Sequence, residues 1–146
     1  MEAVYESDVE EVAIGWLREM GWNTAFGPDI ASESSQSERV SFEDFVLKSR
    51  LINAVSRINP DIPESALEDA IRKTLMLHGT TLESKNRSFH QMLVNGLSVE
   101  YQDISGQMRG ANVNLINFNN PSDNDFLAEN QFTVVNASKN RVQEAV

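Results

Sequence analysis

Two glutamates near the amino terminus are the residues best placed to do chemistry. They stand in "ESDVEEVAIGWLREMGW", residues 6–22. Val9, Ala13, Trp16, Leu17 and Met20 recur at helical spacing and mark one face. That spacing puts Glu6 in line with the apolar stripe and Glu10 at its edge. A carboxylate so placed must cap the helix, pair with another group, or face a site. Ser7 and Glu10 have the S-x-x-E spacing of a capping box, in which the glutamate accepts from the serine's backbone N–H. The other use is as one carboxylate of an acidic, Mg²⁺-dependent site. On that use Glu10 is a candidate metal ligand, with Glu6 in line with the stripe one turn before it. The remaining ligands would come from strands, and nothing else in the chain completes the set.

Other chemistries lack their residues. There is no cysteine, so there is no thiolate nucleophile and no disulfide framework. No G-x-x-x-x-G-K-[ST] loop is present to cradle ATP phosphates, and no G-x-G-x-x-G, H-E-x-x-H or G-x-S-x-G occurs. His78 and His90 have no carboxylate at a convincing ligand spacing, and read as surface or boundary residues. The net charge of -10 argues against tight nucleic-acid binding by this chain alone, since affinity for the phosphate backbone comes from Lys and Arg. The N-terminus is acidic and has no apolar signal segment, and no apolar run approaches a membrane span. A cytoplasmic protein without a membrane partner is expected.

The elements that must position the glutamates follow from period and punctuation. With 146 residues, 40% hydrophobic and 23% charged, the chain suits a single globular domain over 1–146. Helices are predicted near 8–20, 42–58, 64–77 and 84–94. Gly21, Asn59-Pro60, Gly79 and Asn95-Gly96 supply the stops. After Gly96 the apolar period changes to two, and strands are predicted near 97–103, 112–118 and 131–136, with "SGQMRG" as the first turn. Four helices followed by three strands imply α+β or α/β, with helices packed on a mixed β-sheet.

The centres of the apolar stripes predict a core of Trp16, Leu17, Leu51, Val55, Ile71, Leu75, Val99, Leu115 and Phe132, and the short fourth helix should bury Phe89, Met92 and Leu93. Residues 22–39 have no period and read as a loop. Its Ser32–Glu38 tract has no apolar anchor and is expected to be mobile. The Asn/Asp-rich connection over 119–130 should be better ordered, because Asn and Asp side chains can bond nearby backbone.

Four segments in order carry a family resemblance: "ESDVEEVAIGWLREMGW" at 6–22, "LINAVSRINPDIPESALEDAIRK" at 51–73, "NRSFHQMLVNGLSVEY" at 86–101 and "NVNLINFNNPSDNDFLAENQFTV" at 112–134. Together they resemble the N-terminal region of the R (restriction and motor) subunit of type I restriction-modification endonucleases. The resemblance implies a partial PD-(D/E)xK nuclease domain, in which a helix glutamate precedes a mixed sheet. An Asp and a Glu-x-Lys on later strands would then bind Mg²⁺ and activate water. It maps the helix glutamate to Glu10, with Glu6 as the weaker match. It implies double-stranded DNA as the target, methylation and specificity subunits as partners, and ATP use by the full subunit but not by this chain. The family pattern next calls for Arg-Pro-Asp, a hairpin with Asn-Gly, and Glu-x-Lys. Here Asn140-Arg141 leads only to Val142-Gln143-Glu144-Ala145-Val146. A fragment or truncated product that is inactive alone is therefore expected. The alternative is a non-catalytic interaction module on a degenerate nuclease fold.

Overall fold

The computed structural model describes residues 5–136 and 141–145. The chain forms two compact units, Met1–Ser49 with Asp125–Val146, and Arg50–Asn124. The fold is α+β, with helices and with both parallel and antiparallel strand pairs.

In the first unit, α1 (Glu6–Glu19) leads into β1 (Asn23–Phe26) and a single helical turn, α2 (Gly27–Ile30). Gly21 ends α1 at φ 89°, as its position predicts, with its N–H donating to the Arg18 carbonyl at 3.0 Å. The strand β1 pairs in parallel with β4 (Leu127–Asn130), Asn23 opposite Leu127 and Phe26 opposite Asn130. Gln131 then turns the chain at φ 58°, and β5 (Phe132–Asn136) pairs antiparallel with β6 (Arg141–Ala145). Neither β1 nor β4 is expected from the sequence. Both have only four residues, too few for a period to show.

The Ser32–Glu38 tract contains turn hydrogen bonds. Ser34 N–H donates to the Ala31 carbonyl at 2.9 Å, Gln36 N–H to the Ser34 hydroxyl at 3.2 Å, and Glu38 N–H returns to the Ile30 carbonyl at 3.1 Å.

In the second unit, α3 (Lys48–Ile58), α4 (Glu64–Leu75) and α5 (Leu82–Asn95) precede a hairpin of β2 (Leu97–Gln102) and β3 (Met108–Val113). The core is Val55, Ala66, Leu67, Ala70, Val99 and Val113, with Leu51, Ile71 and Leu115 packed around it. Asn59 is buried and fully used. Its Nδ2 donates to the Val55 and Asn114 carbonyls, both at 2.8 Å, and its Oδ1 accepts from Asn114 N–H at 2.9 Å. The residue that stops α3 before Pro60 thus also fixes the chain leaving β3.

The core expectation fails in places. Trp16 is 65% exposed and Leu75 38%. Phe89 is likewise exposed, and α5 has no buried residue. The expected helix start at 42 gives way to a turn in which Asp44 accepts Ser41 N–H at 3.1 Å, so α3 begins only at Lys48.

The strand expected at 112–118 lies instead at Met108–Val113. Asp103 sets this register. Its carboxylate accepts from the Ser105 hydroxyl at 2.6 Å, Arg109 Nε at 2.9 Å, Ser105 N–H at 2.9 Å and Gln107 N–H at 3.0 Å. The turn therefore closes by Gln107 and draws Met108–Gly110 into the ladder opposite Glu100–Gln102. The Ser105 hydroxyl first, then Arg109, lower the Asp103 pKa to about 2, against 3.8 for a free carboxyl. A lowered carboxyl pKa adds stability above the unfolded value, and that stability is lost as pH falls toward the folded one. The hairpin amides of Ser105 and Gln107 should therefore lose hydrogen-exchange protection between pH 4 and 2 in excess of the intrinsic rate change. Asp103→Asn should remove that pH dependence. A hairpin equally protected at both ends of the range would contradict it.

Among the described residues, the Asn-rich connection makes its own scaffold, as expected. Asn117 Oδ1 accepts from Asn119 N–H at 3.1 Å and Asn120 N–H at 2.9 Å. Asn124 Nδ2 donates to the Asn117 carbonyl at 2.9 Å and its Oδ1 accepts Asn117 N–H at 2.8 Å. No helix among the described residues is long and apolar enough to cross a membrane.

Candidate functional site

The first turn of α1 shows that Glu10 is not the helix cap. The N-cap is Tyr5, whose N–H donates to Asp8 Oδ2 at 2.9 Å. Ser7 and Glu10 lie inside the helix, so the capping box expected between them does not form. The start of the helix falls two residues earlier because Asp8 reaches back to Tyr5. This releases the Glu10 carboxylate toward β4. Gln131 Nε2 donates to Glu10 Oε1 at 2.9 Å and to Oε2 at 3.1 Å, and Asn130 Nδ2 reaches Oε2 at 3.4 Å. An uncapped, amide-held carboxylate on the sheet side of a helix is a functional candidate in a way that a cap is not.

The supports of this arrangement are local and strict. Gln131 is the one non-glycine residue with positive φ among the described residues, a conformation that costs energy and persists only when its surroundings fix it. Part of that fixing comes from Gly27, which packs directly on the Gln131 backbone and leaves no room for a side chain. On the other side of β1, Arg18 Nη2 donates to the Thr24 hydroxyl at 3.1 Å and ties the end of α1 to the strand. Trp22 stacks on Phe126 with ring centroids 5.0 Å apart, and Asn23 N–H donates to the Phe126 carbonyl at 2.9 Å, which sets the register of β4.

Between α1 and β4 lies a groove of about 460 Å³, lined by Glu6, Glu10, Glu129 and Asn130 with apolar walls that include Leu17 and Trp22. The structure therefore brings both sequence candidates, Glu6 and Glu10, to one groove. It adds Asn130, Gln131 and Glu129, which the sequence does not single out. The available signal was slight: a polar pair, Asn130-Gln131, interrupting two short apolar runs. His78 and His90 lie in the other unit and are exposed. Among the described residues no group of three or more His, Asp or Glu assembles to hold a metal ion. The described residues thus do not by themselves fit a complete Mg²⁺ site.

These features define an α+β domain whose leading helix presents a carboxylate to a parallel strand pair. The family model described as the N terminus of the type I restriction enzyme R protein matches residues 4–142, and the chain belongs to that family. It is 32% identical over 126 residues to the "Putative type I restriction enzyme MjaIXP endonuclease subunit" of Methanocaldococcus jannaschii, covering 86% of this chain. It is 28% identical over 129 residues, 88% of the chain, to the type I restriction enzyme HindI endonuclease subunit of Haemophilus influenzae. The aligned region is 12% of the length of each of these relatives. No solved structure matches the chain.

Proposed function

We propose that this chain is the N-terminal scaffold of the DNA-cleaving part of a type I restriction endonuclease subunit, on a partial PD-(D/E)xK-like fold. The observation that carries the reading is the Glu10 carboxylate, uncapped and held by Asn130 and Gln131 over the groove. Glu10 is the residue assigned to the cleavage site, with Glu6 second. Mg²⁺ belongs to the complete site, to which these residues give one carboxylate. ATP is used by the longer subunit and not bound here. Double-stranded DNA and the methylation and specificity subunits are the partners, in the cytoplasm. Family membership and the endonuclease names of the two relatives support this reading.

The first test uses the chain itself. The purified 146-residue chain should not nick supercoiled plasmid in Mg²⁺, hydrolyse ATP, or retain DNA at physiological salt. A developing phosphorane charge needs positive groups around it, and the groove is lined by three glutamates and no Lys or Arg. A net charge of -10 repels the phosphate backbone. Nicking that disappears with Glu10→Gln would overturn the incompleteness of the site.

One observation favours the second reading, a non-catalytic interaction module. Tyr5, Val9, Val12, Trp16 and Met20 form an exposed apolar stripe on α1, between 49% and 67% accessible. If that stripe is the functional feature, Trp16→Asp in the full subunit should abolish restriction in cells while leaving the assembled enzyme's cleavage chemistry unchanged.

A further inference from the structure

Arg39 is 5% exposed, an unusual burial for a guanidinium. Its planar group lies 4.2 Å from the Phe132 ring centroid and 5.1 Å from that of Phe42, so aromatic faces fix its plane. Nη1 donates to the Thr133 carbonyl at 2.7 Å and more weakly to the Asp44 carbonyl at 3.5 Å. The other edge, Nε and Nη2, is buried and has no hydrogen-bond partner. No described carboxylate pairs with Arg39. A buried cation with neither counter-charge nor acceptor on one edge is costly to maintain. That edge is also the one whose two parallel N–H groups match two oxygens of a carboxylate or phosphate.

We propose that the Nε–Nη2 edge of Arg39 is a receptor for a singly charged oxyanion, a carboxylate or a phosphodiester. Arg39 borders a cavity of about 370 Å³ shared with Gly27, Ser34, Phe42, Gln131 and Thr133, large enough for either group. Glu33 lines the same cavity, and its like charge disfavours a dianion such as inorganic phosphate. The edge is shielded from bulk water, so an ion that reaches it is held in a setting where a charge-assisted bond is strong. Both nitrogens are shielded from solvent, so admission requires a side-chain movement in the cavity wall. The aromatic plates and the Thr133 carbonyl hold the fork in place before the ligand arrives, which lowers the ordering cost of binding.

The experiment reads the Arg39 Nε–H signal by ¹⁵N–¹H NMR of the 146-residue chain, assigned by its loss in Arg39→Lys. Sodium acetate, dimethyl phosphate and a short DNA duplex are each titrated against sodium chloride at equal ionic strength. A saturable downfield shift with acetate or dimethyl phosphate, absent with chloride, is expected. A shift with acetate and not dimethyl phosphate assigns a carboxylate ligand; a shift with dimethyl phosphate and the duplex assigns a nucleic-acid phosphodiester. No saturable shift with any of the three overturns the proposal. So does a Glu33→Gln variant whose Arg39 signal moves without added ion, since Glu33 would then already occupy the edge.

Discussion

Gly27→Ala should destabilise the first unit by about 3 kcal/mol, at the upper end for forced overpacking. A Cβ on Gly27 would collide with the Gln131 carbonyl oxygen and stand 2.6 Å from its carbonyl carbon and 3.0 Å from the Asn130 oxygen. All three are backbone atoms, so no side-chain rotation relieves the contact; the corner between β4 and β5 must move. That corner carries the two amides that hold Glu10, so the same substitution should release the candidate site. Gly15→Ala supplies the opposite sign. Nothing lies within 4 Å of a Cβ there, and the position is inside α1, so removing the glycine should stabilise by about 0.5–1 kcal/mol. Urea unfolding followed by tryptophan fluorescence reads both variants. Trp16 and Trp22 are the only two tryptophans, and both lie in the first unit. A Gly27→Ala midpoint equal to the wild type's would show that the close approach is not rigid.

What the sequence reveals depends on how each residue is held. The second unit is legible because its core is periodic. Val55 sits at the centre of a helical stripe, and Val99 sits on the buried face of a strand whose neighbours Ser98 and Glu100 are wet. Helix ends at Asn59-Pro60, Gly21 and Gly96 are legible too, because their backbone chemistry is intrinsic. The β3 register is not legible. It follows from four hydrogen bonds converging on one carboxylate, Asp103, and no pattern of apolar residues reports them. The parallel pair β1–β4 escapes for a related reason. Its partners lie about a hundred residues apart, and each strand is too short to show alternation. Trp16 misleads in the other direction: helical spacing shows that a face is apolar, not that anything covers it.

The candidate site divides the same way. That Glu6 and Glu10 are carboxylates on an apolar-striped helix can be read from spacing. That Glu10 does not cap cannot, because Ser7-x-x-Glu10 and Tyr5-x-x-Asp8 compete for the helix start, and the contest is decided by which side chain reaches back. Its amide partners are 120 and 121 residues away, and only the fold brings them to it.

On the proposed reading, Glu10→Gln in a longer endonuclease subunit carrying this domain should lower Mg²⁺-dependent DNA cleavage by about a hundredfold or more, the usual effect of removing a charged group from a cleavage site. The substitution keeps the shape of the side chain and one oxygen that can still accept from Gln131 Nε2, now 2.9 Å from Oε1. It removes the negative charge and leaves the second oxygen's donors, Gln131 and Asn130, facing an amide. The stability loss should therefore be about 1 kcal/mol, the net worth of an ordinary hydrogen bond. That is too small to explain a hundredfold effect in a folded enzyme. Glu6→Gln is the internal control. Glu6 is exposed on the same groove and its side chain bonds to none of the described residues, so its replacement should leave stability unchanged. Cleavage and thermal midpoint, measured side by side for both variants, separate the roles. A Glu10→Gln subunit that cleaves at the wild-type rate with a lowered midpoint would leave Glu10 as a brace between α1 and β4. A Glu6→Gln subunit that alone loses cleavage would move the assignment four residues toward the amino terminus, one turn along the same helix.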